Sequence, residues 1–134
     1  MRRRVYQILS NRFPALLWTI IIFILLALPG NLLPDEKNFH ILNLDKYVHI
    51  ILFGSFVLLW SFYYAAKQKN NNHSTNRFTL ILIIACLYGI GMEYIQKYFI
   101  PNRDFDIYDI AADVVGATAG YLFVLITVSG FKSS

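Results

Sequence analysis

The chain has 134 residues, enough for one domain, and 57% of them are hydrophobic. With a mean hydropathy of +0.49 it is too apolar for an ordinary soluble domain, which indicates an integral membrane protein. The net charge of +4 and the pI of about 9.3 do not indicate nucleic-acid binding, because the basic and acidic residues are segregated along the chain.

The first of four apolar segments, residues 13–28, follows the basic sequence MRRR. Pro14 suits the beginning of a helix, and Pro29-Gly30 suits its end. Because the ALPG sequence after the apolar core lacks the small-x-small pattern of a signal-peptide cleavage site, we interpret this segment as an uncleaved anchor.

Three further apolar segments approach the roughly 20 residues that span a bilayer as a helix. Cys86, the only cysteine, lies within one of them, which excludes a disulfide within the chain and indicates a packing role. Residues 67–77 read KQKNNNHSTNR, a polar tether without core-forming side chains. The sequence predicts one domain over residues 1–134, an all-α integral membrane bundle with four helices at approximately 13–28, 47–66, 78–98 and 110–128.

The distribution of charge orients the predicted helices. Basic residues near helix ends stay on the cytoplasmic side of a membrane, and here seven of the twelve lysines and arginines precede the first helix or lie between the second and third. Both termini are therefore predicted to be cytoplasmic, with loops 29–44 and 99–108 outside. All eight acidic residues fall in these loops or in the outer parts of helices two to four. The basic residues that set the orientation are Arg2, Arg3, Arg4, Arg12, Lys67, Lys69 and Arg77.

Polar side chains recur in helices two, three and four at a similar outer depth, at spacings of three and four that keep them on one helix face. An ionisable group in hydrocarbon costs about 2.5 to 3.5 kcal/mol, so these side chains are expected to face one another. Gly116-x-x-x-Gly120 lets a neighbouring backbone approach closely. The pattern predicts a polar pocket that opens outward. Its members are Asp45, Lys46 and His49 in helix two, Gly89, Glu93 and Gln96 in helix three, and Asp109, Asp113, Gly116 and Gly120 in helix four.

Several of these residues have structural alternatives. Asp45 and Asp109 are each candidates for a helix N-cap, where a carboxylate accepts from free N–H groups and is favoured by the helix dipole. Asp106 is assigned to the loop. Lys46 could extend its ammonium to the membrane interface, and His49 could be an interfacial histidine.

Glu93 and Asp113 fit a structural role less well. Neither lies at a helix N-terminus that it would cap, and Glu93 is near the C-terminal end of helix three, where the helix dipole disfavours an anion. A functional role is therefore predicted for both, whereas Gln96 has the alternative of a helix-to-helix hydrogen bond.

Metal ligation is not favoured by the sequence. A single candidate histidine and the neighbouring cations Lys46 and Arg103 argue against a dedicated zinc site. We therefore predict no metal and no cofactor. The side chains that would be acceptable ligands in type are His49, Glu93, Asp109 and Asp113.

Three stretches resemble the VanZ-like family: DKYVHIILFG at 45–54, YGIGMEYIQ at 88–96 and NRDFDIYDIAADVVGATAG at 102–120. The resemblance implies a multi-pass protein of the bacterial cytoplasmic membrane with its site on the extracytoplasmic side. The family is named for a protein linked to reduced susceptibility to teicoplanin, a lipid-tailed glycopeptide, which implies a role in antibiotic resistance at the cell envelope. Asp113 departs from the pattern, since we expect asparagine there in many members. The matching positions are Asp45, Lys46, His49, Glu93, Gln96, Arg103, Asp109, Asp113 and Gly116.

Two functions fit this pattern about equally. The first is a binding or accessory protein that recognises a lipid headgroup, a lipid-linked phosphate or a lipid-tailed envelope-active compound, with a second copy of the chain or an envelope protein as a further partner. The alternative is an enzyme acting on a lipid-linked phosphate, with His49, Glu93 and Asp113 as acid–base groups. A transporter fits less well, because four short helices leave little room for alternating access. The residues predicted to bind ligand are Asp45, Lys46, Gln96, Arg103 and Asp109, and those predicted to pack helices are Gly89, Gly116 and Gly120.

Overall fold

The computed structural model describes residues 11–32, 44–67 and 75–130. Within these ranges the chain is helical and has no strand, which confirms the predicted all-α, four-helix architecture. The basic residues before residue 11, most of the loop between the first and second helices and the tether from 68 to 74 lie outside the described residues. The helices are α1 (Phe13–Leu26), α2 (Leu44–Lys67), α3 (Thr75–Phe99) and α4 (Ile107–Gly130), and a short 3-10 turn, Gly30–Leu32, follows α1.

Three of the described helices are long and apolar enough to cross a membrane: α2, α3 and α4 as far as Thr127. α1 has 14 residues, about 21 Å at 1.5 Å per residue, and is shorter than the roughly 30 Å hydrocarbon core. Arg12, just before α1, lines a cavity with Lys67 at the end of α2, while Leu26 accepts a hydrogen bond from Gln96 near the end of α3. α1 and the turn after it therefore extend between the two ends of the bundle.

α1 ends two residues earlier than the sequence predicted. Leu28 precedes Pro29, and a proline ring biases the residue before it away from the helical conformation. The backbone N–H of Gly30 then donates to the carbonyl oxygen of Pro101 at 3.1 Å. A side chain at Gly30 would collide with the carbonyl of Asn102, so a glycine is needed where the segment after α1 meets the loop after α3.

α2 and α4 pack closely because glycines line their contact. A Cβ atom on Gly116 would collide with the carbonyl of Ile50 and would lie 2.7 Å from its Cα, and one on Gly120 would lie 2.6 Å from the carbonyl oxygen of Gly54. Gly116 and Gly120 therefore lie in a close helix contact, as the small-residue pattern predicted. The sequence did not identify Gly54, although a Cβ there would lie 3.1 Å from the carbonyl oxygen of Gly116.

Aromatic side chains join α1 to α2 and α3 in the apolar middle of the bundle. Trp18 donates through Nε1 to the carbonyl oxygen of Leu52 at 3.2 Å, and the hydroxyl of Tyr88 donates to the carbonyl oxygen of Thr19 at 3.0 Å. The ring of Tyr88 also packs against that of Phe53, with centroids 5.8 Å apart. These contacts hold the three helices together beside the polar residues at one end.

Candidate functional site

A cluster of ionisable side chains joins three helices at one end of the bundle, where α2 and α4 begin and α3 ends. Most of its members are buried: His49 is 2% exposed, Glu93 0%, Asp109 6% and Asp113 1%. Burial of charged groups is costly unless they are paired, so each is expected to have a partner of opposite charge or a hydrogen-bond donor. This polar cluster consists of Asp45, Lys46, His49, Glu93, Asp106, Asp109 and Asp113.

The most buried contact of the polar cluster joins α2 to α4. His49 Nδ1 lies 2.8 Å from Asp113 Oδ1, a hydrogen bond between residues 64 positions apart. Gly89 of α3 leaves space for the side chain of Asp113. A Cβ atom at Gly89 would lie 3.0 Å from the Cβ of Asp113 and would collide with its carboxylate. The predicted packing glycine of α3 therefore makes room for a side chain of the cluster.

The other ring nitrogen of His49 faces a second carboxylate of α4. Nε2 lies 3.8 Å from Asp109 Oδ2, beyond hydrogen-bond distance. When Nδ1 donates its hydrogen to Asp113, Nε2 of the neutral ring carries a free lone pair. The imidazole is thus oriented by one carboxylate and presents a nitrogen toward another.

Lys46 forms the more exposed side of the polar cluster. Its ammonium lies 2.6 Å from the carboxylates of both Asp45 and Asp106 and 2.7 Å from that of Asp109. The hydrogen bond from Lys46 holds the pKa of the Asp106 carboxyl below its ordinary value. Three carboxylates neutralise this ammonium, which leaves it little attraction for an anionic ligand.

Asp106 caps α4. Its Oδ1 accepts from the backbone N–H of Tyr108 at 2.8 Å, and its own N–H donates to Glu93 Oε2 at 3.0 Å. Asp109 is therefore not the predicted cap, because α4 begins directly after Asp106 and Asp109 lies inside its first turn, whereas Asp106 lies at the end of the loop, as predicted. A capping preference is tied to the position where the helix starts, and the apolar pattern placed that start three residues too late.

The sequence predicts for three further residues that they cap a helix or bind ligand, with a helix-to-helix hydrogen bond as the alternative for Gln96. Asp45 lies inside the first turn of α2 and is not its N-cap residue. Gln96 is 1% exposed and its Nε2 donates to the carbonyl oxygen of Leu26 at 2.9 Å, so it links α3 to α1. Arg103 is half-buried in the loop before α4, and its Nε has no hydrogen-bond partner within the described residues. The structure therefore leaves Gln96 and Arg103 outside the ionic network.

Two groups of three side chains bring potential metal-ligand atoms within 4.8 Å of one another in the part of the chain that the structure describes. The first group is Asp45, Asp106 and Asp109, whose three carboxylates surround the ammonium of Lys46, which already serves as their cation. The second group is His49, Glu93 and Asp109, and all three of its side chains are buried. In this group Glu93 Oε1 has no hydrogen-bond partner among the described residues.

Space for a ligand differs between the two ends of the bundle. A cavity of about 400 Å³ lies at the end opposite the polar cluster, and Asn11, Arg12, Tyr63 and Lys67 line it. At the cluster the buried side chains pack against one another, and the more exposed members are Asp45 and Asp106 beside Lys46, with side chains 37% and 36% exposed. A ligand at the cluster would therefore first meet the carboxylates around this ammonium.

No curated protein and no solved structure gives a significant match to the chain. A family model described as VanZ/LLP1 matches residues 12–128, which include the whole polar cluster and all but the end of α4. This match agrees with the resemblance at 45–54, 88–96 and 102–120 and extends it over α1. With three helices able to cross a membrane, the chain is a membrane protein that belongs to the VanZ/LLP1 family.

Proposed function

We propose that the polar cluster binds the headgroup of a lipid, a lipid-linked phosphate or a lipid-tailed envelope-active compound in an accessory role. The observation that carries this proposal is the depth of the cluster, whose buried charges lie at a bundle end ringed by exposed tyrosines. Tyr47 is 56% exposed, Tyr98 66% and Tyr108 71%. Tyrosines that combine a lipid-facing ring with a hydroxyl near water are typical of the membrane interface, which is the depth of lipid headgroups.

Arg103 offers an anionic headgroup a cation that has no ion pair within the described residues. Lys46 already contacts three carboxylates, and the side chain of Asp106 occupies the N-terminus of α4, so neither feature offers free positive charge. The buried Nε of Arg103 lacks a partner within the described part of the chain. A guanidinium can donate two parallel hydrogen bonds to a phosphate. Amine or hydroxyl groups of the same headgroup would then meet the carboxylates of the cluster.

Binding of a polyprenyl phosphate to the full chain, measured by native mass spectrometry in detergent, tests this function. Arg103→Gln is expected to weaken binding about tenfold, because a hydrogen bond to a charged group contributes about 1.5–3 kcal/mol. Arg77→Gln is the matched control at the opposite end, where the side chain is exposed, and should leave binding unchanged. Equal binding of uncharged polyprenol would show that only the tail is recognised and would contradict the proposal.

The same proposal places the polar cluster on the extracytoplasmic side of the bacterial cytoplasmic membrane. Among the described residues, three exposed basic side chains lie at the opposite end of the bundle, Arg12 before α1, Lys67 at the end of α2 and Arg77 at the start of α3, against one, Lys97 in the last turn of α3, at the end of the cluster. The positive-inside rule supports a cytoplasmic location for that end, and therefore an outer location for the cluster.

Introduced cysteines test this orientation in a Cys86→Ala background. Asn76→Cys, at the start of α3, is expected to resist an impermeant thiol reagent in intact cells, whereas Asp104→Cys, in the loop before α4, is expected to react. Both side chains are exposed, so both cysteines should react in permeabilised cells. The reverse pattern in intact cells would place the cluster on the cytoplasmic side and contradict a role in the outer leaflet.

The pair formed by His49 and Asp113 favours a second candidate function, acid–base chemistry on a lipid-linked phosphate. A histidine held by a carboxylate at one nitrogen, with the other nitrogen directed at a polar site, has the arrangement of a general base or acid. Glu93 lies within reach of the same imidazole. Release of inorganic phosphate from a polyprenyl phosphate by the purified chain would favour this function over recognition alone.

A further inference from the structure

We infer that His49, Glu93 and Asp109 bind one divalent cation of the class that accepts carboxylate oxygen, such as Mn²⁺. One imidazole and two carboxylates from three helices place ligand atoms within 4.8 Å of one another, and all three side chains are buried. The sequence disfavoured a dedicated zinc site because it offers a single candidate histidine and the neighbouring cations Lys46 and Arg103. In the structure, Lys46 contacts Oδ1 of Asp109 and leaves Oδ2 toward the histidine, and Arg103 makes no ion pair within the described residues.

The distance between His49 and Asp109 fits an ion better than a direct contact between the two ligands. His49 Nε2 and Asp109 Oδ2 are 3.8 Å apart, which is too far for a hydrogen bond. Two ligand atoms that each lie about 2.1 Å from one ion are separated by roughly 3 to 4 Å. Glu93 accepts from the N–H of Asp106 with Oε2, while its Oε1 is buried without a partner among the described residues. A cation would satisfy this oxygen, which is otherwise costly to bury.

Asp113, which is not one of the three ligands, orients the histidine among them. It accepts from His49 Nδ1 at 2.8 Å and so fixes the ring with Nε2 toward Asp109. A histidine that ligates a metal through one nitrogen commonly donates its other N–H to a carboxylate, which orients the ring and raises its basicity. Asp113 is therefore a positioning residue for the ion site.

The charges of the buried side chains also favour a cation. Among the described residues, the buried polar side chains include three carboxyl groups, those of Glu93, Asp109 and Asp113, and His49 is the basic one. Lys46 contacts one of these carboxylates, that of Asp109, and a divalent ion would compensate the others, since buried carboxylates without matching positive charge are strongly unfavourable. A ligand set dominated by carboxylates suits Mn²⁺ or Mg²⁺ better than Zn²⁺.

This ion site rests on the same polar cluster as the proposed headgroup function and extends it. A divalent ion would supply the positive charge that the carboxylate-rich cluster lacks, and a lipid phosphate could ligate the ion directly. The test therefore uses Mn²⁺ alone, in detergent free of phospholipid, so that it reports on the ion site only.

Titration of the chelator-treated full chain with Mn²⁺ tests the site, with free Mn²⁺ measured by its sharp electron paramagnetic resonance signal. We expect saturation at one ion per chain. Asp109→Asn and Glu93→Gln should each weaken binding at least tenfold, and Asp113→Ala by about 10- to 100-fold as a positioning residue. Asp104→Asn, an exposed carboxylate-to-amide change in the loop before α4, is the matched control and should keep wild-type affinity.

Pulsed electron paramagnetic resonance of the Mn²⁺ bound to the wild-type chain supplies a readout that does not depend on the folding of a variant. Nitrogen coupling from one imidazole is expected, and it should disappear in His49→Gln. A wild-type chain that binds no Mn²⁺, bound Mn²⁺ without nitrogen coupling, or binding that survives both acidic substitutions would overturn the site. Polyprenyl phosphate binding in the presence of chelator is measured separately, so loss of the ion site and failure of headgroup recognition give different results.

Discussion

Replacing Gly116 by alanine is expected to destabilise the bundle by about 1–3 kcal/mol, the usual cost of overpacking. The added Cβ would collide with the carbonyl of Ile50 and approach its Cα to 2.7 Å. These are backbone atoms of α2, so relief requires α2 and α4 to move apart. That movement also disturbs the hydrogen bond between His49 and Asp113, which joins the same two helices. Unfolding of the purified chain by a denaturing detergent, followed by circular dichroism, measures the change.

Gly91 provides the matched control in α3, because a Cβ there would have nothing within 4 Å. Alanine is favoured over glycine inside a helix by up to about 1 kcal/mol, so Gly91→Ala is expected to stabilise the bundle slightly. The two substitutions should therefore act in opposite directions. Equal stabilisation by both would show that α2 and α4 do not approach each other as closely at Gly116 as the glycine contacts indicate.

The middle of each helix could be predicted from the sequence, whereas the ends could not. Apolar runs mark the part of a helix that lies in hydrocarbon, and the predicted centres fall inside the observed helices. α2, α3 and α4 nevertheless begin three residues earlier than predicted, at Leu44, Thr75 and Ile107. A membrane helix can begin with a polar first turn that a capping side chain such as Asp106 stabilises, and a hydropathy pattern does not register a cap.

The level of the site residues along the bundle could also be predicted, but most of their hydrogen-bond and ion-pair partners could not. Helical spacing put His49, Glu93 and Asp113 at one level, and the structure brings them into one cluster. Partners also depend on the rotation of each helix and on the path of the loops. Lys46 pairs with Asp106, 60 residues later, because the loop before α4 returns over the start of α2. Nothing in the local spacing of either residue indicates this contact.

Asp113→Ala is expected to weaken binding of the polyprenyl phosphate at least tenfold while the chain still inserts and accumulates. The substitution removes the acceptor for His49 Nδ1, so the ring loses its fixed orientation and a buried donor is left unpaired. The close contact of α2 with Gly116 and Gly120 is retained, so the bundle should persist. Asp104→Ala, in which an exposed carboxylate is lost, is the control and should bind as the wild type does. Native mass spectrometry measures binding, and immunoblotting of membranes measures accumulation.

Asp113→Asn then separates the role of charge from that of the hydrogen bond. The amide oxygen of asparagine can still accept from His49 Nδ1, so recognition that needs only an oriented imidazole predicts partial retention of binding. Loss as severe as in Asp113→Ala would show that the negative charge is required, as it is when a carboxylate stabilises an imidazolium during acid–base catalysis. That result would favour the enzyme over the accessory protein. Wild-type binding in a well-accumulated Asp113→Ala chain would instead assign Asp113 to packing against Gly89. It would also show that neither headgroup recognition nor acid–base chemistry requires the oriented imidazole.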